Sequence, residues 1–179
     1  MARQGMAVEE KEHVRIETDA LVRELDQEAA TTRRLLERVP EEHLDWRPHP
    51  KARTLGELAF HVATVPGGVA EFASQSEAEA PDLTDQSPAS AAELVPMLDE
   101  SIARAKRVLA GMDDASLAET WRMMQGTQAV FAAPRGAFLR SIMLNHWYHH
   151  RGQLSTYMRT LGVAIPSIYG PSADENPFA

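Results

Sequence analysis

Four long stretches of the sequence place apolar residues at three- and four-residue steps, which is the pattern of a helix with one buried face. They cover about residues 14–39, 54–68, 90–112 and 134–162. In the first, Leu21, Leu25 and Leu36 share one stripe, and Pro40 ends the helix. Because each helix must bury its apolar stripe, the pattern predicts an all-α fold in which four helices pack together.

The ends of these helices carry recognisable capping residues. Thr54 is suited to cap the second helix, and Glu57, three positions later, can bond back to the cap amide as in a capping box. The glycine pair at 67–68 is expected to weaken or end the regular part of that helix. Pro134 suits the first position of the fourth helix, and Gly162 suits its C-terminal cap.

The connections between the helices differ in composition. Residues 74–88 are acidic and are predicted to form a mobile linker. Residues 113–134 show no sustained period, so we expect a structured connection with at most a short extended segment and no convincing strand. The tail, 163–179, is expected to fold back on the helices. Residues 1–13 are predicted to be a flexible polar leader, and 14–179 a single domain.

Composition excludes several classes of protein. With no cysteine, the chain cannot form disulfides or use thiolate metal ligands, which leaves histidine and carboxylate as strong ligands. The net charge of -8 argues against a nucleic-acid partner, because such binding depends on clustered Lys and Arg. The sequence contains no apolar run long enough to span a bilayer and no signal-peptide pattern, so the expected location is cytoplasmic without a membrane partner.

Three histidines are candidates for a metal site. His146 and His150 lie four residues apart, so their side chains share one face of the fourth helix and can bind one cation. Two imidazoles alone hold a divalent ion weakly, and a third ligand is needed. His61 lies among apolar residues on the inward face of the second helix, where an unpaired imidazole is costly to bury. The three together predict a divalent metal site, although core histidines bonded to backbone or water remain the alternative.

Other polar residues near these histidines are candidates for a supporting role. Gln153 and Tyr157 continue the helical stripe of the pair and are predicted to support the ligands or contact substrate. Glu57 lies one turn before His61 and could do the same, although its capping role already accounts for it. His149 points about 100 degrees away from His150 and is predicted to be a surface or interface residue.

The segments "TLGELAFHVA" and "HWYHHRGQLSTYMRTLGV", followed by "IPSIYGPSADE", resemble the DinB-like, or YfiT-like, family of metal-dependent enzymes. The resemblance covers most of the chain, including the "LDWRPHPKA" loop. It implies a four-helix bundle with up-down-down-up topology, often dimeric, that holds a divalent metal through three histidines. On this sequence those histidines match His61, His146 and His150. Trp147 and Tyr148, beside the ligands, are candidates for the dimer contact.

The family resemblance implies chemistry without selecting a substrate. Relatives include thiol transferases that use bacillithiol or mycothiol, so the leading hypothesis is a metal-dependent transferase that acts on a small-molecule substrate with a low-molecular-weight thiol. Zinc or nickel is expected first, with iron as the third ion, because imidazole suits all of them. The alternative is a non-catalytic, metal-stabilised stress-response or binding module. A ferritin-like di-iron bundle is disfavoured, because only Glu10 and His13 show the required Glu-x-x-His spacing.

Overall fold

The computed structural model describes residues 14–82 and 84–179, so the predicted leader lies outside the described residues. The helices are α1 (Ile16–Leu36), α2 (Leu55–Phe72), α3 (Leu94–Ala110), the short α4 (Asp114–Ala118), α5 (Arg135–Phe138) and α6 (His146–Thr160), and the strands are β1 (Glu77–Glu79), β2 (Thr120–Gln125) and β3 (Gln128–Pro134). A π-helical segment, Leu139–Asn145, joins α5 to α6. We call the continuous helical run over residues 135–160 the C-terminal helix. With α1, α2 and α3 it forms a four-helix bundle, as the sequence predicts.

Cross-helix contacts show that α2 and α3 run in the same direction. The Ser101 hydroxyl donates to the Thr64 carbonyl at 3.0 Å, and Arg104 pairs with Glu71 at 3.3 Å, so both residue numbers rise together along the interface. A parallel pair of consecutive helices requires a long return connection. Residues 73–93 supply that connection.

The other two interfaces are antiparallel. At the α1–α3 interface, Lys106 pairs with Asp26, and Asp99 pairs with Arg33. The residue numbers of α1 therefore rise where those of α3 fall. The C-terminal helix likewise runs opposite to α2, because Phe72 lies against Phe138 whereas Val62 bonds to Trp147. The resulting topology is up-down-down-up, as the resemblance implied.

The small three-stranded sheet is a departure from the sequence prediction of no convincing strand. β2 pairs with β3 antiparallel and with β1 parallel, and the hairpin turns at Gly126, whose φ is +58°. Trp121 of β2 is fully buried and stacks on Phe138 with ring centroids 4.0 Å apart. The sheet therefore covers one end of the bundle beside α2 and the C-terminal helix, and β1 lies within the predicted linker.

The glycine pair at 67–68 does not end α2, so one of the two outcomes expected for it is wrong. The helix continues to Phe72 with Pro66 inside it. A Cβ atom at Gly67 would lie 2.7 Å from the Ser101 carbonyl oxygen, so this glycine permits close packing of α3. At Gly68 no atom lies within 4 Å of an added Cβ. Pro134, predicted to begin the fourth helix, instead ends β3, and α5 begins at Arg135.

The residues after α6 lie against α1 and α6. Arg34 donates to the Ser167 carbonyl oxygen at 3.3 Å, and Asp174 accepts from Arg159 and from the Ile165 amide. No helix among the described residues is long and apolar enough to cross a membrane.

Candidate metal centre

His61 is placed by the well-defined start of α2. The Thr54 side chain accepts from the Glu57 amide at 3.1 Å, and the Glu57 carboxylate accepts from the Thr54 amide at 2.6 Å, which completes the capping box. Two helical turns later, the Nε2 atom of His61 is buried and makes no hydrogen bond within the described part of the chain. A buried nitrogen without a partner is costly, so its presence calls for an explanation.

His146 and His150 meet His61 from the first turns of α6. Their Nε2 atoms lie 2.9 Å apart, and the ring centroid of His61 is 5.2 Å from that of His146 and 4.5 Å from that of His150. One ring nitrogen from each residue can be chosen so that all three lie within 4.8 Å of one another. The Nδ1 atom of His146 is also buried without a partner among the described residues. We refer to these three residues as the histidine triad.

A hydrogen bond between helices fixes α6 against α2 beside the triad. Pro66 has no amide hydrogen, so the Val62 carbonyl oxygen, four residues earlier, loses its helical donor. The indole Nε1 of Trp147 donates to that oxygen at 2.7 Å. Since Val62 follows His61 and Trp147 follows His146, the bond holds both backbone segments of the triad in register.

A buried ion pair anchors α6 to α1 next to the triad. Arg151, which follows His150, is 1% exposed and lies 2.5 Å from the Glu28 carboxylate, which is 5% exposed as a residue. Arg151 also donates to Thr32 Oγ1 at 3.1 Å and to the Tyr169 hydroxyl at 2.6 Å. The Tyr169 hydroxyl donates to Glu28 at 3.0 Å. These bonds hold α6, α1 and the tail together next to His150.

Gln153 contacts the triad directly. Its Oε1 atom lies 2.7 Å from His150 Nδ1. Because an amide oxygen only accepts, the bond places the proton of neutral His150 on Nδ1 and leaves the Nε2 lone pair free. Contacts of this kind orient imidazole ligands in metal sites.

The triad is electrostatically suited to remain neutral. Burial, and after it the positive charge of Arg53 and the neighbouring imidazoles, lower the pKa of His61 to about 3. Burial also lowers the pKa of His150 to about 4, and it lowers the pKa of His146. Neutral imidazoles offer lone pairs, so near pH 7 the three rings are in the form that binds metal.

Arg53 and Asp85 form the polar side of the site, and no sequence pattern predicts either residue there. The Arg53 Nε atom donates to Asp85 at 2.7 Å. The charge of Arg53 lowers the pKa of each triad histidine, whereas Asp85 raises that of His61. Their pairing brings the loop after β1 to the start of α2, a contact that spacing along the chain cannot reveal.

Four sequence predictions near the site have different outcomes. Glu57 is engaged in the capping box and lies 3.9 Å from Arg47, outside the triad, and its support of the ligands stays a prediction. Tyr157 packs edge-on against Trp46 with centroids 5.6 Å apart, and its contact with substrate stays a prediction. His149 is exposed and outside the triad. Trp147 is fully buried, so it cannot form the predicted dimer contact.

An apolar cavity of about 660 Å³ adjoins the triad. His61 and His146 form part of its wall, and the remaining wall comes from α2, the sheet, Pro81 after β1, and the C-terminal helix. Its volume lies within the usual range for small-molecule sites. The sequence predicted no cavity here, because its outer wall is built from the unpredicted hairpin.

The donor set fits a divalent metal ion. Three imidazoles are typical ligands of such ions, and catalytic zinc sites commonly have three protein ligands. An ion held between the rings would also provide a partner for otherwise unpaired ring nitrogens. The described residues contain no second group of histidine and carboxylate side chains close enough to hold an ion.

Comparisons with known proteins agree with this architecture. Residues 11–177 match the sequence model of the DinB family. The YrdA protein of Bacillus subtilis is 27% identical over 161 residues, which cover 88% of this chain and 90% of YrdA.

Two solved structures share the fold. A DinB-like protein from Bacillus cereus is 24% identical, with a TM-score of 0.66, and the match covers 84% of this chain and 97% of that one. YfiT from Bacillus subtilis is 15% identical, with a TM-score of 0.60 and coverage of 92% and 94%. YfiT has been described as a probable metal-dependent hydrolase with an unusual four-helix bundle topology.

Proposed function

The chain belongs to the DinB family, and from that premise we propose that it is a metal-dependent transferase that joins a low-molecular-weight thiol to a small-molecule acceptor. In this proposal His61, His146 and His150 hold a divalent ion, zinc or nickel. The observation that carries the proposal is the convergence of three neutral imidazoles at the wall of an apolar cavity.

The residues of the chain have distinct tasks in this proposal. The triad supplies three neutral nitrogen donors, and Gln153 holds the His150 ring in the tautomer whose Nε2 lone pair is available. When bound, a divalent ion supplies Lewis acidity and lowers the pKa of a thiol or water ligand. His61 and His146 also line the cavity, so an acceptor bound in the cavity would lie next to the triad, where the thiol is proposed to bind.

The position of the cavity also bears on the non-catalytic alternative. An ion that only cross-linked α2 and α6 would need no adjoining space. Here two of the three ligand side chains border a volume large enough for a small molecule. This favours turnover or ligand binding over a purely structural role.

Hydrolysis is the second candidate, favoured by the fold shared with YfiT. The same residues would hold the ion, and water would replace the thiol as nucleophile. The difference lies in what occupies the polar side of the triad, where Arg53 and Asp85 are paired.

A single set of assays separates these candidates. Protein purified without a histidine tag is freed of metal, reloaded with zinc or nickel, and assayed with bacillithiol or mycothiol plus an aryl halide, and separately with an aryl ester in the absence of thiol. The transferase proposal predicts thiol conjugation that a chelator abolishes and that His61→Ala lowers by at least about a hundredfold.

His149→Ala is the matched control, because His149 is exposed and outside the triad. It should retain activity within about twofold. Ester cleavage without conjugation would favour hydrolysis. Conjugation by the metal-free protein would contradict both metal-dependent candidates.

A further inference from the structure

The cavity beside the triad limits the chemistry of the acceptor, and this inference rests on the proposed function. We propose that the cavity binds the uncharged, largely apolar body of the acceptor, an arene or a compact aliphatic group. The polar thiol would then approach from the side of Arg53. The proposal assigns a substrate class to the cavity.

The lining of the cavity is the first argument. Its wall is dominated by large apolar side chains, namely Val65, Phe72, Met123, Phe131, Phe138 and Ile142. Its polar side chains are those of His61, His146 and Ser141, and the described lining includes no Lys, Arg, Asp or Glu. A charged group placed here would lose its hydration without gaining an opposite charge, so a charged acceptor body is disfavoured.

The distribution of polar groups around the triad is the second argument. Arg53 and Asp85 lie near the triad but do not line the cavity. The site therefore has an apolar side, formed by the cavity, and a charged side, formed by the ion pair. Such a division sorts two substrates of different polarity to opposite sides of one reaction centre.

The expected selectivity follows from apolar burial. Each methylene group moved from water into the cavity should tighten binding by roughly fourfold. Affinity should therefore rise along a series of neutral arenes of increasing size until the cavity is filled. Addition of a carboxylate to the arene should weaken its binding to the metal-free protein, in which no ion can attract the negative charge.

Gly68 provides a way to fill the cavity without disturbing the core. It lines the cavity and lies inside α2, and no atom lies within 4 Å of an added Cβ. A larger side chain there should therefore occupy cavity space, and replacing a helical glycine also favours the helix. Gly152 is a matched control, because it lies inside α6, is exposed, has equally open space at its Cβ, and does not line the cavity.

The test measures binding of the neutral fluorophore N-phenylnaphthylamine to the full-length, metal-free protein. We expect one bound molecule per chain, displacement by naphthol, and at least tenfold weaker displacement by naphthoate. Gly68→Leu should weaken fluorophore binding by at least tenfold, Gly68→Ala by less, and Gly152→Leu by no more than about twofold. Absent or unsaturable binding, equal displacement by naphthoate, or unchanged affinity in Gly68→Leu would overturn the assignment.

The design separates this inference from the proposed function. Zinc binding of wild type and Gly68→Leu is measured in parallel, and it should be the same because Gly68 is not a ligand. If the fluorophore does not bind as expected while zinc binding is intact, only the cavity assignment is overturned. Saturable fluorophore binding without zinc binding supports the cavity assignment and defeats the proposed function.

Discussion

Replacement of Arg151 by methionine provides a demanding test of how the bundle is held together beside the triad. Methionine keeps most of the side-chain volume but removes the guanidinium, which bonds to the Glu28 carboxylate, the Thr32 hydroxyl and the Tyr169 hydroxyl. The Glu28 carboxylate would then stay buried, with the Tyr169 hydroxyl at 3.0 Å as its remaining donor within the described part of the chain.

The expected cost is set by the burial of both partners. The Arg151 and Glu28 side chains are 2% and 7% exposed, so loss of one charge leaves the other desolvated and unpaired. Such losses cost about 3–5 kcal/mol, a large part of the stability of a typical domain. By contrast, Arg159 and Asp174 form an ion pair whose side chains are 44% and 29% exposed, so water screens the pair and the corresponding cost should be far smaller.

The assay is equilibrium unfolding in urea, followed by circular dichroism, in the presence of a chelator. Arg151→Met should lower the free energy of unfolding by about 3–5 kcal/mol, and Arg159→Met, on the same helix, should lower it far less. Adding Glu28→Met to Arg151→Met removes the unpaired charge and should restore about 2 kcal/mol. Equal losses for Arg151→Met and Arg159→Met, or a further loss in the double variant, would refute this reasoning.

Three further predictions concern the residues around the triad. Glu57→Ala should lower the free energy of unfolding by about 1 kcal/mol, because it removes half of the capping box, while the zinc stoichiometry stays unchanged; a lost equivalent of zinc would show that Glu57 supports the metal site as well as the start of α2. Gln153→Leu should weaken zinc affinity by about 10–100-fold in calorimetry, because the His150 ring loses its orienting acceptor, with little effect on the metal-free stability; unchanged affinity would show that Gln153 does not orient the ligand. The metal-free protein should lose stability as the pH falls from about 6.5 toward 4, because imidazoles of the unfolded chain take up protons while the burial-lowered pKa values of about 3 for His61 and about 4 for His150 keep those native rings neutral. Urea unfolding across this range checks the sign, and a variant in which glutamine replaces all three triad histidines should show a shallower loss; an equal slope would contradict the assignment.

Local sequence signals account for the parts of the structure that were predicted. Thr54 and Glu57 fix the start of α2 through bonds that span three residues, and His146 and His150 share a face because of helical periodicity alone. Such features depend on near neighbours in the chain, so the sequence contains them in full. The third candidate ligand, His61, required only the further expectation that α2 and the fourth helix pack together.

The unpredicted features depend on contacts between distant residues. Trp121 is buried because Phe138 stacks on it, and the hairpin that holds it has no strong alternation of apolar and polar residues. The role of Trp147 depends on a carbonyl freed by Pro66 on another helix, a bond that joins residues 85 positions apart. Trp147, a candidate for the dimer contact in the sequence, is therefore a buried donor to another helix.

Calorimetric titration of zinc into metal-free, untagged protein is the most direct test of the histidine triad. The account predicts one bound ion per chain, and loss of that binding in His61→Ala, His146→Ala and His150→Ala, with no loss in His149→Ala. The melting temperature of wild type should rise on zinc addition, because the ion binds the native arrangement of the rings and stabilises it. Undiminished zinc binding in all three triad variants, or no saturable binding by wild type with either zinc or nickel, would contradict it.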